Sequence, residues 1–461
     1  MTTIATAENT SPARAERAPD NPYLQGNFAP VPQEQTLGEL RVRGALPPEL
    51  RGVLMRNGPN PIGAVPSSHH WFVGDGMLHA IEIRDGHALG YRNRFVRTAH
   101  VKETLGLAAA PVSPHAPVIQ GSGSVNVIRH AGRILALGEV GLPYEMTSAA
   151  DTVRQYDFDG VLRSAMTAHP KIDPVTSELF FFGYDIGPVN LRYHVADAQG
   201  RLQKTLEIAT PKPTMMHDFG VTETRVVFMD LPVVLDFSLI EQGYLMPYRW
   251  DDSYVPRIGV MRRDGDGSDL RWFEIPPCYV YHPFNAYDDG ARIVMDVVEH
   301  ARTFDQSRLG PEHSTPPRCV RWEIDPELGR LTRTVIDERG QEFPRVDPRK
   351  ACRRHRYGYS VESTWANGQG IGFTGLLKYD FDRGETLEHA VEPGQSASEG
   401  VFVPVGPGED EGFVLAPVYD ARTNRSEVRV IDAQRFAAKP VAVIELPVRI
   451  PFGFHGDFFQ G

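Results

Sequence analysis

The chain has 461 residues, is 41% hydrophobic and carries a net charge of −11 without any basic run, so a nucleic-acid partner is excluded on electrostatic grounds. Its three cysteines, Cys278, Cys319 and Cys352, are scattered and form no CxxC pair. That excludes a disulfide framework and a cysteine zinc site, and it fits a reducing compartment.

Residues 1–27 are polar and punctuated by proline, and read as a flexible arm. They hold no apolar stretch of the signal-peptide kind. No later segment approaches 18 uninterrupted apolar residues, so nothing is expected to span a membrane, and the protein reads as soluble and cytoplasmic. TLGEL, ALPPEL and AHVKETLGL read as short helices. Beyond them, short apolar runs alternate with turn chemistry. RGVLMRNG, HAIEIRDG, RILALGEV, ELFFFGYD, RVVFMDL, ARIVMDVVEH, GFVLAPVYD, SEVRVIDA and VAVIELP all read as strands. DGH, DPVTSE, DGDGSD, DDGAR and GPGEDEG supply the turns, and Gly 43 with Pro 38 fit many of them.

Such a series suggests an all-β sandwich, barrel or propeller. Removing about 35 residues of arm leaves about 61 for each of seven blades. A minimal blade needs roughly 40–45, so the surplus would form loops capping one end. A weak repeat points the same way. AHPKIDPVTSELFFFGYD, MHDFGVTETRVVFMD and HPFNAYDDGARIVMDVV each place a histidine ahead of an apolar strand, and FGFHGDFF adds a fourth near the C-terminus. Histidines at equivalent blade positions converge on a propeller's axis.

The sequence holds 16 histidines. His69, His70, His87, His130, His194, His313 and His389 sit in turn-like or charged contexts and are set aside. His169, His217, His282 and His455 share the repeated context and are candidate metal ligands. Imidazole suits iron, zinc and copper, whereas a structural zinc site would more usually include cysteine. His217-Asp218 lacks the H-x-D spacing of a two-histidine, one-carboxylate iron site. Four neutral ligands would leave the metal's charge to be offset by groups nearby.

At this point the residues carry a resemblance. RNGPNP (56–61), HWFVGDGMLH (70–79), RNRFVRT (92–98), AHPKIDPVTSELFFFGY (168–184), MMHDF (215–219), HPFNAYDDG (282–290), EFPRVD (342–347), RYGY (356–359) and PFGFHGDF (451–458) occur in the order seen in the carotenoid cleavage oxygenases. The chain resembles that family over residues 28–461, read as one domain. The resemblance implies a seven-bladed β-propeller with a loop and short-helix dome, and one iron(II) on His169, His217, His282 and His455. It also implies three glutamates behind the ligands: Glu139 accepting from His217, Glu342 from His282, and Glu399 from His455. A carboxylate there fixes the ring tautomer and raises its basicity.

The implied reaction splits a C=C bond of an apolar conjugated alkene with O2 into two carbonyls. In keeping with a reaction that needs no organic cofactor, no GxGxxG or P-loop is found. Trp71, Phe95, Phe284, Phe452 and Phe454 are candidates for an aromatic substrate pocket. RNGPNP reads as a structural turn. Two departures bear on substrate. Relatives that cleave hydroxystilbenes carry a Tyr and a Lys where this chain has Phe95 and Gly138, which favours an apocarotenoid or another non-phenolic alkene. Val125 stands where many oxygenases of the family have Thr. The alternatives are a stilbene- or phenylpropene-cleaving dioxygenase, a retinoid-isomerase-like enzyme, and a metal-holding scaffold without turnover. The apolar segment 231–248 is either a buried strand and loop or a rim for transient contact with a membrane surface.

Overall fold

The structure is a computed structural model that describes residues 21–117, 119–184, 190–311, 315–366 and 370–461. His313 and residues 1–20 of the expected arm lie outside the described residues. The nine apolar runs all form strands, and they assemble into the seven blades of a β-propeller. Four central blades are plain antiparallel meanders. Strand order follows the chain in Asn126–His130 to Thr152–Gln155, Lys171–Ile172 to Leu202–Ile208, Tyr279–Asp289 to Arg330–Asp337, and Gln341–Arg345 to Glu385–Ala390.

The remaining blades carry the exceptions. Between the second and third strands of the Phe219–Val221 blade, the chain leaves to form a separate ribbon, Val233–Leu235 with Tyr248–Trp250, joined through helix Phe237–Glu241. The ring is closed twice. Strand Gly456–Gln460 pairs with Gly52–Pro59 and becomes the edge of the first blade. Strand Arg41–Gly44 pairs with Ala442–Glu445 and becomes the edge of the last. Each terminal region thus completes the blade begun by the other, which removes the open edges a linear stack would expose.

Of the three expected short helices only AHVKETLGL forms one, Ala99–Leu105. Thr98 caps it by accepting from the Val101 N–H at 3.2 Å, and Gly106 ends it at φ +70°. TLGEL instead contributes to strand Gln35–Leu37, paired to the outer strand of the first blade. ALPPEL contains no helix, because its paired prolines remove the N–H donors a helix would need.

The core lies between blades rather than in one central mass. Phe180, Phe182, Tyr193, Phe219 and Phe228 are buried together where the third and fourth blades meet, and each such ring contributes about 1.5–3 kcal/mol. Where the first blade meets the C-terminal segment the backbones touch. A Cβ on Gly58 would lie 2.4 Å from Gly453 Cα, so the glycine of RNGPNP is required by close approach. All three cysteines are buried and free.

Candidate metal centre

The repeat in the sequence has a structural cause, although not quite the one expected. His169, His217 and His282 lie on or just before the first strand of their blades, the apolar run that follows being the second strand, whereas His455 stands just before the closing strand. His169 precedes Lys171–Ile172, His217 precedes Phe219–Val221, His282 lies within Tyr279–Asp289, and His455 precedes Gly456–Gln460. The strand holding His282 is irregular on both sides of Pro283, where its register against Arg292–His300 shifts. Bulges of this kind re-aim side chains beside functional sites.

All four imidazoles meet. The Nε2 atoms of His217 and His282 are 3.3 Å apart, and those of His455 and His282 are 3.2 Å apart. The His169 ring centroid lies 4.4 Å, 4.9 Å and 4.8 Å from those of His217, His282 and His455. The three glutamates stand behind this cluster. Nδ1 lies 3.0 Å from Glu139 Oε1 in His217, 2.6 Å from Glu342 Oε2 in His282, and 2.8 Å from Glu399 Oε1 in His455.

These contacts decide the tautomers. A ring that donates its Nδ1–H to a carboxylate presents a bare lone pair at Nε2. The Nε2 lone pair of His282 therefore faces those of His217 and His455 at close range, which is repulsive unless a cation lies between them. Nε2 of His169 is also buried without a hydrogen-bond partner. The donor set thus fits a divalent transition metal held by four neutral imidazoles, with charge offset supplied from behind.

The local electrostatics agree. Burial holds His169 well below the ordinary histidine range, with the other three histidines adding to the effect. Burial likewise lowers His455 to about 4, partly opposed by Glu399. Burial also depresses His217, but Glu139 outweighs it and the net shift is upward. That carboxylate favours a positive charge on its side of the cluster. Glu342 is pushed up by burial, yet His282 and His300 hold it far below the usual carboxylate range. Burial acts the same way on Glu399, and Arg345 with His455 brings it to about 2. Asp218 is turned aside, its Oδ1 accepting from Lys171 at 2.7 Å.

Several supporting residues were not apparent in the sequence. His300 ends a strand and donates from Nε2 to the second oxygen of Glu342 at 2.7 Å. Phe343 has φ +56°, gives its N–H to Glu342 at 2.8 Å, and stacks on His282. Tyr184 donates its hydroxyl to Glu139 at 2.7 Å. A buried histidine next to an acidic residue at a strand end, as in VVEH, is the only signal the sequence offered for any of them.

The cluster opens onto a cavity of about 1120 Å³. His217, His282, His455, Glu139 and Glu342 form part of its wall, together with Trp71, Phe72, Val125, Tyr281, Phe373 and Phe454. Val125 also accepts the backbone N–H of His455 at 3.1 Å. Of the candidate pocket residues, Trp71, Val125 and Phe454 line this cavity. Phe95, Gly138, Phe284 and Phe452 do not line the cavity among the described residues. Phe95 packs away from it with Met77 and Val101. Phe284 lies edge-on to Tyr379 and Phe381. Phe452 sits behind Phe373 and against Phe28. Gly138 meets backbone, since an added Cβ would lie 3.2 Å from the Gly123 nitrogen. The inference that Phe95 and Gly138 decide against phenols is therefore not carried by their positions. Among the histidines set aside, His69, His70, His130, His194 and His389 are buried rather than in exposed turns, whereas His87 is exposed and pairs with Glu39 at 2.7 Å.

At the cavity mouth stand Val65, Val112, Ile119, Ile240 and Leu245, which are 59%, 58%, 44%, 46% and 63% exposed. Segment 231–248 is part buried and part exposed. Val233 and Val234 are buried in the ribbon, whereas Ile240 and Leu245 are exposed at the rim. No helix among the described residues is long and apolar enough to cross a membrane.

Comparison with known proteins agrees with this architecture. The family model for retinal pigment epithelial membrane protein matches residues 28–460. A carotenoid cleavage oxygenase of Mycobacterium tuberculosis is 38% identical over 510 aligned residues, covering 99% of each chain. A carotenoid 9,10(9',10')-cleavage dioxygenase of Phaseolus vulgaris is 32% identical, covering 95% of this chain and 89% of its own. Among solved structures, the lignostilbene dioxygenase of Pseudomonas brassicacearum superposes with a TM-score of 0.85 at 26% identity, covering 96% of this chain and 100% of its own. A cobalt-substituted apocarotenoid oxygenase of Synechocystis gives 0.82 at 26% identity, covering 95% and 98%. With the family model and full-length relatives on one side and the convergent histidines on the other, the chain belongs to the carotenoid cleavage oxygenase family.

Proposed function

We propose that this enzyme uses one iron(II), held by His169, His217, His282 and His455, to cleave a C=C bond of a conjugated alkene of apocarotenoid type with O2, giving two carbonyl products. The observation that carries the reading is the opening of a four-imidazole cluster into a large cavity lined in part by aromatic side chains. Its volume of about 1120 Å³ exceeds the roughly 300–1,000 Å³ of ordinary small-ligand sites, which favours an extended substrate. That a cobalt-substituted form of a structural neighbour exists supports a divalent metal in a centre of this kind.

When bound, iron(II) supplies a redox-active centre at which O2 and an electron-rich alkene react. The protein's own residues do the rest. Glu139, Glu342 and Glu399 hold protons on the Nδ1 atoms and so keep each Nε2 lone pair aimed inward. Phe72, Phe373 and Phe454 exclude water and align a planar conjugated chain by stacking. Val125, an aliphatic group at the wall beside the cluster, offers no hydroxyl to compete for a polar ligand there. A stilbene- or phenylpropene-cleaving activity is a second reading, favoured by the Tyr184 and Tyr248 side chains on the same wall.

The deciding assay supplies iron(II)-loaded enzyme separately with an apocarotenal, a hydroxystilbene and a phenylpropene. Uptake of one O2 per alkene, with two carbonyls identified by mass spectrometry from the apocarotenal, is expected. Activity confined to phenolic alkenes would overturn the substrate assignment. A geometric isomer formed without O2 uptake would replace cleavage by isomerisation.

Glu342→Gln tests the carboxylates. The amide keeps the shape, but it must turn an NH2 towards one of three donors that now share two oxygens: His282, His300 and Phe343. Iron affinity is expected to fall about 10–100-fold, read by competition with a chelator. Unchanged affinity would show that the carboxylate is dispensable.

The exposed rim fits transient contact with a membrane surface from which an apolar substrate would be drawn. Leu245→Glu is expected to weaken vesicle association about tenfold, equivalent to removing roughly one buried aliphatic side chain. Wild-type protein that fails to float with vesicles would end this idea.

A further inference from the structure

The RNGPNP segment is not absorbed by the metal centre, yet it contains an electrostatic anomaly. Arg56 is only 4% exposed, its Nε has no hydrogen-bond partner, and no ion pair anchors it among the described residues. Glu399 acts on it only through space, and burial lowers it from its ordinary value to about 10. A buried guanidinium without partners is costly, and native structures seldom leave one so.

Arg56 borders a small void of about 10 Å³, lined also by His79, by Asn57 and Asn60, and by Phe452 and Gly453. That leaves room for one small occupant, a water or a monatomic ion, and none for a polyatomic anion. The asparagines are already engaged. Asn57 donates to Gly123 and Asn126 and accepts from Gly58. Asn60 exchanges both amide contacts with Val31. His79 is different. Burial, with Arg56 and Arg449 adding to it, brings it down to about 3, so the ring is neutral. Its Nδ1 lies 2.8 Å from the Tyr91 hydroxyl. In the tautomer in which Tyr91 donates to Nδ1, Nε2 carries the ring's hydrogen. The polar side-chain groups left over at the void are then donors. Arg449 adds a further, half-buried positive charge nearby, its own N–H groups turned to the carbonyls of Asn27 and Pro30.

We propose that this void is a binding site for one chloride ion, held by the Arg56 guanidinium and the His79 ring N–H. The donors and the positive field select an anion, and the size excludes phosphate and sulfate. The ion joins two strands that matter to the metal centre. Arg56 faces Gly456 across the seam between Gly52–Pro59 and Gly456–Gln460, and the Asn57 N–H donates to the His455 carbonyl at 2.9 Å. Chloride here would clamp the segment that delivers His455 without touching substrate or metal.

Crystals of the full chain grown in sodium bromide test the site directly. An anomalous bromide peak between Arg56 and His79 is expected. In solution, melting at fixed ionic strength should rise saturably when gluconate is replaced by chloride or bromide, and Arg56→Met should abolish that dependence. If Arg56→Met does not fold, His79→Leu serves the same purpose. Water or nothing in the void would overturn the proposal. So would a bromide peak whose halide dependence in melting is missing, or persists in the variant, since that marks an adventitious ion only. None of these readouts depends on turnover.

Discussion

His282→Ala is expected to lose turnover by about a thousandfold or more, the several kcal/mol a metal centre supplies to such a reaction. His282 is the middle of the cluster, with the nitrogens of His217 and His455 at 3.3 Å and 3.2 Å on either side. Its removal takes away one donor and also breaks the link from Glu342 to the site. Glu342 would remain held by His300 and Phe343, so the fold should persist and the loss should lie in metal content. Elemental analysis and O2 uptake measured on the same preparation check this. A variant that keeps one iron per chain and normal turnover would remove the basis of the proposed function.

Asp173→Asn should cost about 3–5 kcal/mol at neutral pH, the range for breaking a buried ion pair by removing one partner. Asp173 is fully buried and holds Arg353 at 2.8 Å and Arg263 at 2.8 Å, joining segments from the third, fourth and sixth blades. Burial pushes its carboxyl up, but the donors from Val175, Arg353 and Arg263 outweigh this and hold it at about 2. The folded value is thus depressed below the ordinary 3.8. Its contribution is complete above that pH and is lost as the pH falls from 3.8 towards about 2. Urea melts across this window should show a steep acid limb in the wild type and a flatter one in the variant. Superimposable limbs, or equal stability at pH 7, would refute the assignment.

Much of this was legible in the sequence, for identifiable reasons. Strands such as ELFFFGYD and ARIVMDVVEH are buried on both faces, so their apolar runs are continuous and hard to mistake. The four histidines shared a context because three open or lie in the first strand of a blade and His455 stands just before the closing strand. What the sequence concealed is which way a side chain points. Phe95 and Trp71 both sit in matched motifs, yet only Trp71, in a turn, reaches the cavity, whereas Phe95 ends a strand and packs away from it. His300 was hidden because its role is set by Glu342, 42 residues away. The pairing of Arg41–Gly44 with Ala442–Glu445 joins segments about 400 residues apart, and no local signal announces it.

The double closure of the ring has a consequence for how the centre and the fold depend on each other. His455 enters on the closing strand, whereas His169, His217 and His282 belong to blades inside the ring. A cation gripped by all four would span the joint like a clasp, and ligation energy would become closure energy. Chelation should therefore loosen the joint before the blades, and the first amides to exchange with solvent should be those of Gly456–Gln460.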